Sequence, residues 1–236
     1  MSENKKINLV VSDGSSMDAY VAIPEGSGPF PAIMVFQEAY GVNNHIRNVV
    51  NRFAKEGYVA IAPELFHRTA VGFEADYSDF SVAAPHVQEL KVEGMSADIE
   101  ASYKWLLEQP IVVGNKIGSV GYCLGGRASF LSNILLPLSA AVSYYGGGIV
   151  ALLDRVEEVH APHLFLWGGL DKHIPAEQVE AVKKAMNDAG KKYSSVTFPD
   201  ADHGFNNDER PSYHLNASTE AWEMSLNFFH QLLRLS

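Results

Sequence analysis

Short strand-like runs recur along the chain at Ala32–Phe36, Tyr58–Ala62, Lys116–Tyr122, Ala140–Tyr144, His163–Trp167 and Ser194–Phe198, most of them separated by segments long enough for a helix. A run that is apolar at successive positions suits a strand covered on both faces, the condition of a parallel sheet flanked by helices. Helical spacing fills the intervals. Asn44–Glu56 sets Ile46, Val49, Val50 and Phe53 on one side and stops at Gly57, and Met95–Glu108 does the same with Ile99, Tyr103, Leu106 and Leu107. Gly125–Leu136, Ala176–Ala189 and Thr219–Leu235 are the remaining helical segments. Ahead of this alternation, Ile7–Val11 and Met17–Ile23 flank a turn containing Gly14, the pattern of an antiparallel hairpin. The expectation is an α/β fold with a mostly parallel central sheet, an N-terminal antiparallel hairpin and helices on both faces. No repeat, low-complexity tract or Pro/Ser-rich linker divides it, so residues 1–236 read as one domain. Residues 66–94 show no clear periodicity and are read as an irregular lid or binding loop.

Charge narrows the partners. The 18 Lys and Arg residues face 28 Asp and Glu, a formal net charge of −10, with no basic block. Such a chain repels phosphate backbones and anionic lipid, so neither nucleic acid nor a membrane is expected as a partner. The longest uncharged stretch, Ala128–Leu153, contains Asn133, Pro137 and Gly146–Gly148, which break it into a buried helix, a strand and a loop. The N-terminal Ile7–Val11 run is too short for a secretory signal. Cys123 is the sole cysteine, which fits a reducing compartment and a cytoplasmic location. No His, Asp or Glu cluster has metal-ligand spacing, and neither a dinucleotide fingerprint nor a P-loop is present, so no cofactor is expected. The expected oligomeric state is a monomer or small homo-oligomer.

The chemistry concentrates where the Lys116–Tyr122 strand runs into Gly121-Tyr122-Cys123-Leu124-Gly125-Gly126 and then an apolar helix. This is a nucleophile elbow with Cys in place of Ser. A sharp turn projects the side chain above the sheet, and small neighbours relieve the crowding. The start of the following helix favours negative charge there and offers the Leu124 amide to an oxyanion. The alternative is a buried structural cysteine. A thiol nucleophile needs a base, and the base needs an orienting group. His203, in Asp200-Ala201-Asp202-His203-Gly204-Phe205, follows the last strand, and Asp171 follows the preceding one. His173 is the rival base but shares the loop of Asp171, while Asp200 and Asp202 are the rival acids. After Ala32–Phe36 comes Gln37-Glu38-Ala39-Tyr40-Gly41, in which Ala39 falls where a second oxyanion amide belongs. Glu38 is either a catalytic carboxylate or an ordinary loop residue facing solvent.

Taken together with the Gly168–Pro175 loop that carries Asp171, these motifs resemble the dienelactone hydrolase (carboxymethylenebutenolidase) family of the α/β-hydrolase fold over nearly the whole chain. The resemblance implies Cys123, Asp171 and His203 as a triad, the Leu124 and Ala39 amides as the oxyanion hole, and a Glu38 that hydrogen-bonds the resting thiol and helps generate the thiolate. It also implies two arginines that hold a substrate carboxylate. Here Thr69–Gly126 contains no arginine, and Asn207 stands four residues beyond His203. Arg210 and, more weakly, Arg68 are the replacement candidates, with Tyr40 and Tyr213 as further substrate-binding residues. The expected activity is cysteine-dependent opening of a small lactone or ester through an acyl-enzyme. A broad carboxylesterase or thioesterase, or a non-catalytic binding protein on the same fold, are the alternatives.

Overall fold

The computed structural model describes residues 3–233, and one mixed eight-stranded sheet organises them. Strands β1 (Glu3–Val10) and β2 (Ser16–Ile23) form the antiparallel hairpin, in register from Glu3↔Ile23 to Val10↔Ser16. The parallel body comprises β3 (Phe30–Phe36), β4 (Val59–Pro63), β5 (Val112–Tyr122), β6 (Ala140–Tyr144), β7 (His163–Gly168) and β8 (Tyr193–Phe198). The order across the sheet is β1-β2-β4-β3-β5-β6-β7-β8, with β2 antiparallel to β4 and every later pair parallel. Because β3 and β5 are neighbours, Phe36 pairs with Gly121 and the loops that follow them emerge side by side. The loops after β7 and β8 leave from the same sheet edge, where an open α/β sheet gathers its functional groups.

The helices are α1 (Asn44–Lys55), α2 (Phe80–Glu89), α3 (Val92–Leu107), α4 (Leu124–Leu135), α5 (Ala176–Asp188) and α6 (Leu215–Leu233), with a 3-10 stretch at Ile149–Glu158. In α1, Ile46, Val49, Val50 and Phe53 are all buried, and Asn43 caps the helix by accepting a hydrogen bond from the Ile46 amide. Several elements begin earlier than the sequence reading, among them β1 at Glu3, β3 at Phe30, α3 at Val92, β5 at Val112 and α6 at Leu215; the expected end of α6, Leu235, lies outside the described residues. The segment 66–94 is also less irregular than expected, since it contains α2. Asp79 caps that helix through the Ser81 amide, but Pro85 interrupts it and only Ala83 is fully buried, which leaves no amphipathic spacing to read.

Helix α4 is buried on nearly all sides, from Leu124 to Ile134 except Arg127. That placement accounts for the uncharged stretch, and no helix among the described residues is long and apolar enough to cross a membrane. Its polar side chains are satisfied internally. Ser129 and Ser132 share hydrogen bonds with Ser119 of β5, and Asn133 bonds both the Ala161 amide and its carbonyl. Beneath it lies His163, where Asn133 Nδ2 donates to Nδ1 at 3.3 Å and Nε2 donates to Ser143 Oγ at 2.9 Å. Burial lowers the pKa of His163 to about 3. The unfolded chain therefore takes up a proton near pH 6.5 that the folded chain refuses, and stability falls as pH drops from about 6.5 toward 3. Urea midpoints between pH 7 and 4 should fall less steeply in His163→Asn than in the parent, and parallel slopes would exclude this histidine as a source of acid sensitivity.

Candidate active site

Cys123 sits between the last residue of β5 and the first of α4 with φ 55° and ψ −115°. A non-glycine residue in that region costs roughly 1–3 kcal/mol and persists only where its surroundings enforce it. Here they do. The Cys123 amide donates to the Tyr144 carbonyl at 3.1 Å, and its carbonyl accepts from the Gly126 amide at 2.9 Å. A Cβ on Gly121 would run into the Gly125 carbonyl, and one on Gly125 would run into the Phe36 carbonyl, so the turn closes only with glycine at both positions. The thiol is held partly exposed at the N-terminus of α4, and the Leu124 amide, first in that helix, has no intrahelical acceptor.

His203 and Asp171 arrive from the loops after β8 and β7. His203 Nδ1 donates to Asp171 Oδ2 at 2.7 Å, and Asp171 Oδ1 accepts from the amides of His173 at 2.8 Å and Ile174 at 3.2 Å. Both oxygens of Asp171 are thus engaged, which fixes the carboxylate plane and, through it, the imidazole. Burial opposes ionisation of Asp171, yet His203 and the two amides hold its carboxyl below the usual range. For His203, burial alone would lower the pKa. The charge of Cys123, together with hydrogen bonds to Asp171 and Cys123, pushes it up to about 10. His203 thus bridges Cys123 and Asp171, hydrogen-bonded to both. The rival His173 packs its ring 5.2 Å from His203 and belongs to the loop that grips Asp171.

Glu38 is fully buried, which removes the solvent-facing reading. Its partners differ from the thiol hydrogen bond that the resemblance implies. Asn207 Nδ2 donates to Oε2 at 2.6 Å, and Arg210 Nη1 lies 3.4 Å from Oε1. The guanidinium of Arg210 also lies 5.9 Å from the Tyr40 ring centre and 5.7 Å from that of Tyr77. Ala39 and Tyr40 are buried on this wall, and segment 66–94 packs onto them. The Tyr77 ring lies tilted 4.6 Å from that of Tyr40 and its hydroxyl oxygen accepts from Asn43 Nδ2 at 2.7 Å, while Ala83 clusters with Ala39 and Tyr40. Tyr145, at φ 35°, sets its ring 5.1 Å from that of His203.

Two candidates fall elsewhere. Arg68 spends its guanidinium on Asp98, through two bonds of 2.9 Å, and on Asp13 at 2.7 Å, in a cluster that also holds the buried His67. Tyr213 is partly exposed and lines a surface hollow with His45, Arg52 and Ser218. Sequence reasoning met Asn207 only as the residue standing where the resemblance implies an arginine; its bond to Glu38, which joins positions 169 residues apart, has no signal in the sequence. Among the described residues no group of three or more His, Cys, Asp and Glu side chains is placed to hold a metal ion.

The sheet and the elbow define an α/β hydrolase. Residues 17–233 match the model of the dienelactone hydrolase family. A carboxymethylenebutenolidase of Pseudomonas putida is 33% identical over 229 residues, covering 96% of each chain. A relative from Escherichia coli, named "Putative carboxymethylenebutenolidase", is 37% identical over 236 residues, covering 94% of this chain and 85% of its own length. The crystal structure of a "Putative Dienelactone Hydrolase" from Klebsiella pneumoniae superposes with a TM-score of 0.86 at 32% identity, over 97% of this chain and 99% of that one. This chain belongs to the dienelactone hydrolase family and is a hydrolase acting on carboxylic ester bonds.

Proposed function

We propose that the chain is a cysteine-dependent hydrolase that opens a small lactone or ester, of the kind its carboxymethylenebutenolidase relatives are named for, through an acyl-enzyme. The observation that carries this reading is the hydrogen-bonded line from Cys123 through His203 to Asp171, set at a strained elbow. The thiolate attacks the carbonyl carbon, and the Leu124 and Ala39 amides receive the tetrahedral oxyanion. As that intermediate collapses, the imidazolium of His203 gives its proton to the departing alkoxide and a thioester forms. Acylation removes the thiolate charge that raised the His203 pKa, so burial now works to lower it and the neutral ring can accept a proton. His203 then takes a proton from water as hydroxide attacks the thioester, and the acid leaves with regeneration of the thiolate. Glu38 shares this electrostatic cage, and its role is to help generate the thiolate, with Asn207 and Arg210 fixing its position. Tyr40 and segment 66–94 form one wall of the substrate cleft.

A sole cysteine kept as a thiol supports a cytoplasmic setting. The test is intact-protein mass spectrometry during turnover of an activated aryl ester. A stoichiometric acyl adduct on Cys123 is expected, whereas unmodified protein under rapid turnover would exclude covalent catalysis. Failure to acylate with any ester or thioester would favour a binding scaffold on this fold.

A further inference from the structure

Between α1 and the chain that joins β8 to α6 lies a hollow of about 80 Å³, and none of its lining residues belongs to the Cys123–His203–Asp171 line. His45, Asn48, Val49 and Arg52, spaced three or four apart, form its α1 wall as one helix face. Asn206 and Asp208 of the joining chain and Ser218 of α6 complete it. Two of these side chains are almost wholly buried and only half satisfied. His45 and Asn206 are each 3% exposed, and neither His45 Nε2 nor Asn206 Nδ2 has a hydrogen-bond partner. Their other polar atoms are committed, since His45 Nδ1 faces Asp208 Oδ1 at 3.4 Å and Asn206 Oδ1 accepts from Ser218 Oγ at 3.1 Å. A buried amide without an acceptor is costly, and two unmatched groups in the lining of one hollow point to a ligand.

The charge around the hollow says what kind. Among the described residues no carboxylate pairs with Arg52, whose guanidinium rests 3.7 Å over the Trp222 ring. Trp222 stands one helical turn beyond Ser218 on α6, so this stacking sets the charge beside the Ser218 end of the hollow. Burial raises the pKa of the Tyr122 and Tyr144 hydroxyls, and the Arg52 charge opposes that rise, so its field reaches inward. Tyr122 meets the His45 ring edge-on at 6.1 Å, directly behind the α1 wall. His45 itself occupies the first turn of α1, which holds no acidic side chain and where the helix amides favour negative charge. We propose that this hollow is a second ligand site, for a small oxyanion such as phosphate or a short carboxylate, held by the Arg52 charge and the Asn206 side-chain amide. A water occupies about 30 Å³, so the space admits an ion of that size and nothing as long as a nucleotide. The bound ion braces the joining chain against α1. That chain carries His203, Asn207 and Arg210, and Asn207, next to Asn206, donates to the buried Glu38, so occupancy reaches the catalytic cage.

The test is isothermal titration calorimetry of the full chain with sodium phosphate and, separately, sodium acetate, at ionic strength fixed with sodium chloride. One saturable equivalent of phosphate or of acetate is expected, and the ion that binds more tightly tells the phosphate source from the carboxylate source. Arg52→Gln should weaken binding about 10-fold or more, Asn206→Ala several-fold, and Arg52→Lys should recover part of the Arg52→Gln loss. Arg210→Gln should leave the affinity within about twofold, because its guanidinium serves Glu38 and not the hollow. In the parent the bound ion should also slow amide hydrogen exchange across residues 204–218. Saturable binding of neither ion would overturn the inference and leave the hollow to water. Binding that survives Arg52→Gln and Asn206→Ala but is lost in Arg210→Gln would overturn it too, by placing the anion in the catalytic cage.

Discussion

Cys123→Ala should lose turnover of an activated aryl ester by on the order of 10⁴-fold or more while melting within a few degrees of the parent. The size follows from the division of labour at the elbow. The Leu124 and Ala39 amides can still polarise a carbonyl, but no group remains to form the covalent intermediate, and His203 loses the charge it was tuned against. The thiol is at the surface of the core rather than within it, so removing sulfur leaves no large cavity. The same variant carries a second readout. Without the thiolate, His203 keeps its burial and its Asp171 bond but loses the largest influence that raised it, so its NMR titration should fall well below about 10. Turnover comparable to the parent would sink the nucleophile assignment, and an unmoved titration would sink the ion-pair account.

The second large effect is expected at the base. His203→Ala should deacylate so slowly that a thioester on Cys123 accumulates and becomes visible by mass spectrometry. Asp171→Asn should cost on the order of 10²–10⁴-fold in kcat with the fold intact. An amide at position 171 can still accept from the His173 and Ile174 amides through one oxygen. It would, however, present a donor to His203 Nδ1 and favour the wrong tautomer. The two variants therefore differ in kind, one deleting the base and the other misdirecting it. A larger loss from His173→Ala than from His203→Ala would move the base to the neighbouring loop residue.

How much was legible in the sequence depends on whether a feature is local. The elbow is written in consecutive residues, because Gly121 and Gly125 are demanded by contacts that the turn makes with itself and with Phe36. The alternation of buried strands and amphipathic helices is similarly local, and the sheet followed it. Helix α2 was not legible, because Pro85 breaks the signal and almost nothing along it is buried. Nor were the partners of Glu38. They depend on the loop after β8 folding back to the loop after β3, a meeting of segments far apart in the chain that no spacing rule encodes.

The adjacency of β3 and β5 also has a consequence for how the catalyst comes into being. Phe36 and Gly121 are 85 positions apart (121 − 36), and the Ala39 and Leu124 amides beyond that pairing stay apart until the intervening chain has closed on itself. Closing a flexible loop of that length costs about 4 kcal/mol of chain entropy, returned only when the whole set of parallel strands has docked. Local elements such as the β1–β2 hairpin can form early, but a half-folded chain has no half-strength site. The hydrolase switches on with the last long-range pairings, so a nascent or damaged chain keeps a thiol without the geometry to spend it on bystander esters.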